Sequence, residues 1–202
     1  MIHGLVLKTF QVFMEDTYGA AAWERVAREA GLEPNELEAM LSYEHTLLRS
    51  LVGAAERVLG RPCTQFLEDI GTYLVSHPNR EGLRRLLRFG GVDFIEFLHS
   101  LDDLPGRARL AVPNLVLPDL ELIDEDSNHF VLTVTGNMIS FGFVMIGVLR
   151  AMADDYGALV LLEHHGSDCS AQRIEITLVE NAFAEGREFD LSGPGGMAEV
   201  TI

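Results

Sequence analysis

One boundary constrains this chain more than any other: at Pro113 the spacing of its apolar residues changes. Before it they recur every three or four positions, as a buried helix face requires; after it they alternate, as a half-buried strand requires. Leu5, Leu7, Phe10, Phe13 and Met14 form one helical stripe ending at Tyr18 and Gly19. Ala20 to Ala30 is rich in helix formers and meets a C-capping glycine at Gly31. Residues 33–60 predict a short helix and then a longer one closed by Gly60. Phe66, Ile70, Tyr73 and Leu74 share one side of the next helix, which His77, Pro78 and Asn79 break. Another short helix stops at Gly90 and Gly91. Residues 93–104 read as a further helix, with Phe94, Phe97, Leu98, Leu101 and Leu104 on its buried face. Pro105 and Gly106 then end the stripe, because proline lacks an amide donor and clashes with the preceding turn.

Beyond Pro113, Leu120-Leu122 and Phe130-Leu132-Val134 alternate around an acidic turn, which predicts a hairpin. Residues 141–156 return to helical spacing and end at Gly157. "ALVLLEHH" and "RIEITLVE" predict a second hairpin around "GSDCSA". The fold class is therefore α+β: a helical N-terminal half, then a small antiparallel sheet with a helix laid against it. Residues 182–202, with Gly193 to Gly196, are expected to form a flexible tail.

Composition narrows the function classes. With 48% hydrophobic and 23% charged residues, the 202-residue chain is an ordinary globular one. A net charge of −16 repels phosphate backbones and anionic membrane surfaces, so neither nucleic acid nor a membrane is an expected partner. Two cysteines, Cys63 and Cys169, suit a reducing compartment. The N-terminus does not read as a signal peptide, and the run 141–149 is halted by Arg150, too short for a bilayer. A cytoplasmic location is expected.

The opening segment "MIHGLVLKTFQVFMEDTYGAAAWERVAREAGL" resembles the start of the heme-nitric oxide/oxygen binding (H-NOX) domains. "FLHSLDDL" resembles that family's F-L-x-x-L-D-x-L, "VPNLVLPDL" its Y-P-x-x-x-x-P-S-F, and "VMIGVLRAMADDYG" its second signature helix. The similarity runs in unbroken order over residues 1–181. It implies the H-NOX fold: a helical N-terminal subdomain, about 1–60, and a C-terminal subdomain, 61–181, of four antiparallel strands plus helices. In that family a heme b sits between the subdomains and reports nitric oxide or oxygen. The reporting partner is a signalling protein such as a histidine kinase or a cyclic-nucleotide or di-nucleotide enzyme.

The resemblance also locates what this chain has changed. After L-D-x-L the family places the histidine that binds heme iron, and here that position is Pro105, which offers iron no lone pair. The family's propionate clamp, Y-x-S-x-R, falls by ungapped counting from Gly147 on Val134, Gly136 and Met138, none of which carries a side-chain donor. Leu5, Phe89 and Val148 fall on positions that line the heme pocket. The expectation is a non-catalytic regulatory domain without heme, whose pocket is apolar and narrowed by its own side chains. It would act through protein contacts or another apolar ligand.

Two other readings stand beside this one. A gas sensor would need a substitute axial ligand, but His99 lies six residues before Pro105, about 240° around a helix axis. A metal-dependent enzyme would draw on Glu163, His164, His165, Asp168 and Cys169, although adjacent histidines on a strand point to opposite faces.

Overall fold

The computed structural model describes residues 1–138, 140–166 and 171–187. In the N-terminal half, α1 (Gly4–Tyr18) buries Leu7, Phe10, Phe13 and Met14, and His3 caps it, accepting from the Leu5 amide at 3.2 Å. Trp23 and Val26 of α2 (Ala20–Glu29), Leu51 and Ala55 of α3 (His45–Leu59), and Phe66 and Ile70 of α4 (Cys63–Ser76) close this core. A short antiparallel pair, β1 (Ile2–His3) with β2 (Ser42–Tyr43), ties its ends.

The short helix expected after residue 33 does not form. Tertiary hydrogen bonds claim the backbone groups it would use: Pro34 O accepts from Trp23 Nε1 at 2.9 Å, Leu41 O from the Gly4 amide at 2.6 Å, and the Glu38 amide donates to the Tyr43 hydroxyl at 2.8 Å. A weak local preference loses to two bonds to distant residues and one across the following turn.

A 3-10 turn (Pro78–Arg80) leads into α5 (Glu81–Arg88), α6 (Phe94–His99) and α7 (Leu104–Ala111). The helix expected over 93–104 is thus two. Asp93 caps α6 by accepting from the Glu96 amide at 2.9 Å, and the helix ends when the Ser100 hydroxyl donates to Phe97 O at 2.7 Å. Leu101 and Leu104 remain buried, so the apolar stripe continues through a turn rather than along one helix. Pro105 does not stop a helix; it opens α7 in the first turn, where its missing amide donor costs no hydrogen bond.

The C-terminal half contains β3 (Asp119–Asp124), β4 (His129–Thr135), α8 (Phe141–Tyr156), β5 (Leu159–His165) and β6 (Ala171–Glu180). The strands form one antiparallel sheet in the order β3-β4-β6-β5, with Leu122 opposite Leu132 and Leu132 opposite Ile174. Their inward faces pack on α8 through Leu132, Ile174, Met145 and Leu149. Both hairpins follow the alternation read from the sequence. The tail expected from residue 182 is docked through Arg187: the Phe183 and Ala184 amides donate to Gly157 O, and the Arg187 amide donates to Asp155 O at 2.9 Å. Residues 188–202 lie outside the described residues.

The two halves meet where α4 crosses α8. A Cβ on Gly147 would meet Glu68 O and lie 2.8 Å from Thr72 N; one on Gly71 would meet Val144 O and lie 2.8 Å from Val148 N. Only glycine at both positions lets the two backbones approach this closely. The Thr72 hydroxyl donates to Gly147 O at 3.4 Å, and Arg150 pairs with Glu68 at 3.1 Å beside it. No helix among the described residues is long and apolar enough to cross a membrane.

Candidate functional site: an apolar cavity between the halves

A cavity of about 410 Å³ opens beside the α4–α8 crossing. Its walls are Leu5 and Phe10 of α1, Ile70 and Leu74 of α4, Leu83 and Leu86 of α5, Leu104 and Ala108 of α7, and Met145 and Val148 of α8, among others. The space was expected to be largely closed by side chains, and it is not. Ala108 and Ala111, one turn apart on α7, are too small to reach across, and Gly82 adds nothing from α5.

Of the positions singled out in the sequence, Leu5, Val148 and Met138 reach this wall. Phe89 does not: it caps the C-terminus of α5, 74% exposed, because Arg84 and Leu87 hold the buried side of that short helix. Val134 is buried in the core between sheet and α8, and Gly136 packs against Pro118 just beyond β4, both away from the cavity. Pro105 is buried at the start of α7, about 100° around the axis from Leu104, so it flanks the wall rather than forming it.

The wall's donor atoms are few. Among the described residues no histidine, cysteine or tyrosine side chain lines it; Met138 and Met145 contribute thioethers, and Thr9, Asn79 and Arg80 are the polar side chains. Four of the histidines are engaged elsewhere. His3 caps α1, His77 stacks on Tyr73, and His99 faces Asp124 at 3.1 Å on the surface. His164 stacks on Phe143 with centroids 4.1 Å apart. The donor set therefore does not fit heme iron through nitrogen, and no residue at the counted clamp positions would grip a propionate.

Sequence reasoning missed Arg80. Its guanidinium lies 5.6 Å from the Tyr73 ring, whose hydroxyl donates to Asp16 at 2.6 Å. Burial, reinforced by that bond to Asp16, pushes the Tyr73 phenol above its ordinary pKa. The signal was present: Arg80, Arg84, Arg85 and Arg88 are four of the chain's 15 basic residues. Arg84 donates from Nε to the fully buried Asp155 of α8 at 2.8 Å, and Arg187 Nε approaches the same carboxylate at 3.9 Å. The Arg88 guanidinium lies 3.9 Å over the Tyr156 ring, whose phenol burial pushes up to about 12 and which donates to Gly91 O at 2.8 Å. One wall of the cavity, α5, is thus pinned to the end of α8 and to the C-terminal segment.

The metal candidates divide as the strand pleat dictates. Glu163 and His165 share the outer face with Glu175, which sits opposite Glu163 across β5 and β6, while His164 turns inward. His165 Nε2 lies 3.3 Å from Glu175 and 3.7 Å from Glu163, but Arg173 also pairs with Glu175 at 3.3 Å. Asp168 and Cys169 lie outside the described residues. The arrangement is an exposed ion-pair cluster across one hairpin.

Comparison with known proteins adds relatives and fold neighbours. Residues 3–164 match the family model described as Haem-NO-binding. The chain is 22% identical over 154 residues to soluble guanylate cyclase gcy-31 of Caenorhabditis elegans, covering 76% of this chain and 22% of that protein. Soluble guanylate cyclase 89Db of Drosophila melanogaster is 20% identical over 183 residues, 89% of this chain and 27% of its own length. The chain thus spans about a quarter of the length of the curated relatives it matches. Among solved structures, an unliganded Fe(II) H-NOX protein from K. algicida superposes with a TM-score of 0.76 at 17% identity, over 90% of this chain and 99% of that one. A Cs H-NOX gives 0.73 at 13% identity, over 91% and 100%. At these identities the superpositions speak for the fold.

Proposed function

Because the chain belongs to the Haem-NO-binding family, we propose that it is a sensory domain of that fold whose cavity no longer holds histidine-ligated heme. It signals through protein contacts governed by another apolar guest. One observation carries this reading: the wall offers no imidazole, thiolate or phenolate among the described residues; the resemblance, which sets Pro105 at the family's ligand position, agrees with it. The cavity itself has persisted, which suits a binding role without iron. A guest shifts the domain only if it binds two arrangements of α5 and α7 with different affinity. The ties from Arg84 and Arg187 to Asp155 give α5 a physical connection to the C-terminal segment. The partner class is a signalling enzyme, a kinase or a nucleotide cyclase, supported by the cyclases among the relatives.

The test is reconstitution. Mixed with hemin and desalted, the unmodified chain should retain little heme and show no ferrous carbonyl or nitrosyl spectrum of histidine ligation. Pro105→His places an imidazole beside the cavity and should retain more, weakly, because Val134, Gly136 and Met138 give the propionates no clamp. Stoichiometric heme with a sharp Soret band on the unmodified chain would contradict the proposal. Substitution of Met138 and Met145 would then show whether a thioether is the ligand.

A further inference from the structure

The cavity's chemistry specifies more than an apolar guest. We propose that it takes a single-headed anionic amphiphile, a long-chain monocarboxylate with its tail among the leucines and its carboxylate on Arg80. This rests on the reading that heme does not occupy the site.

Three observations converge. At about 410 Å³ the cavity lies within the roughly 300–1,000 Å³ range of small-molecule sites, and its wall is hydrocarbon save for a few groups. Two of those groups, Asn79 and Arg80, are neighbours on the 3-10 turn, so polarity gathers at one edge of an otherwise apolar chamber. That is the geometry of a head and a tail.

Arg80 is also the wall cation without an acid. Among the described residues it forms no ion pair; its guanidinium engages Tyr73, while its buried Nε–H has no hydrogen-bond partner. The nearby carboxylates are committed: Asp16 accepts from the Tyr73 hydroxyl, Glu81 pairs with Arg84 and Arg85, and Asp155 with Arg84, Arg88 and Arg187. A buried donor left unsatisfied is unfavourable, and a carboxylate, which accepts two parallel N–H bonds from a guanidinium, satisfies it. A neutral guest would leave that donor bare.

Charge distribution agrees. The chain carries −16 overall, a field that repels anions, and on the wall of this cavity Arg80 is the local exception among the described residues. A single head follows because Arg80 is the sole cationic side chain on the wall among the described residues. A guest with two widely spaced carboxylates would bury one unpaired.

The experiment titrates the full chain, checked for heme by its Soret absorption, with dodecanoate and with dodecanol by calorimetry. Wild type should bind dodecanoate at least roughly tenfold more tightly than dodecanol, the scale of one charge-assisted contact. Arg80→Gln should erase that gap and leave dodecanol affinity unchanged. Ala111→Trp, at an exposed wall position, should weaken both ligands while leaving the thermal transition in place. Equal binding of the two ligands, dodecanoate binding unaffected by Arg80→Gln, or binding of neither would overturn the inference. A chain that purifies loaded with heme would overturn it together with the reading beneath it, whereas a heme-free chain indifferent to dodecanoate overturns this inference alone.

Discussion

The α4–α8 crossing and the α5–α7 wall lie side by side and are built on opposite rules. At the crossing, two glycines bring backbone against backbone, and no side chain separates the helices. At the wall, α5 and α7 stand off from α1 and α4 and enclose a cavity of about 410 Å³. The first region has almost no freedom to change its residues. The second changes its chemistry freely so long as its atoms stay apolar, because no backbone contact depends on which side chain is there.

The largest expected effect comes from cutting the tie between the two regions. Asp155 is fully buried on α8 and accepts from Arg84, which is itself buried on α5. Asp155→Ala removes the buried acid that Arg84, Arg88 and Arg187 share and should cost about 3–5 kcal/mol, read as a fall in the urea midpoint. A loss below about 1 kcal/mol would mean the wall is not anchored to α8 through this pair.

Breaking the joint directly should cost somewhat less. Gly147→Val drives a branched side chain into the Glu68 carbonyl on α4, where neither backbone can yield, for an expected loss of about 3 kcal/mol. The crossing would be looser than described if thermal unfolding were unchanged.

The wall should respond in the opposite direction. A Cβ added at Gly106 in α7 would meet nothing within 4 Å, so Gly106→Ala should raise stability by about 0.5–1 kcal/mol through helix propensity. Destabilisation there would show that α7 needs its glycine and would erase the contrast between joint and wall.

How much of this was legible in the sequence follows the same division. The hairpins, α8 and the buried faces of α1 and α4 were readable because period and burial coincide: every second or every third-to-fourth residue is apolar. The break between α6 and α7 was not, because Leu101 and Leu104 stay buried through the turn and continue the helical spacing without the helix. The missing helix after residue 33 was lost to tertiary bonds that only the folded chain reveals. At the site, Leu5, Met138 and Val148 were found by position, while Phe89 was misplaced because α5 is too short to carry its stripe past Leu87. Arg80 was overlooked although the run of arginines is plain in the sequence; what could not be read was which of them lacks a carboxylate.

The central claim is that fold and cavity persist while heme ligation does not. The most direct measurement is the heme content per chain of the unmodified protein purified from heme-replete cells, set against its folded state by circular dichroism. The account predicts a cooperatively folded α+β protein with essentially no bound heme and no Soret band. One heme per chain, surviving desalting and lost only on unfolding, would contradict it.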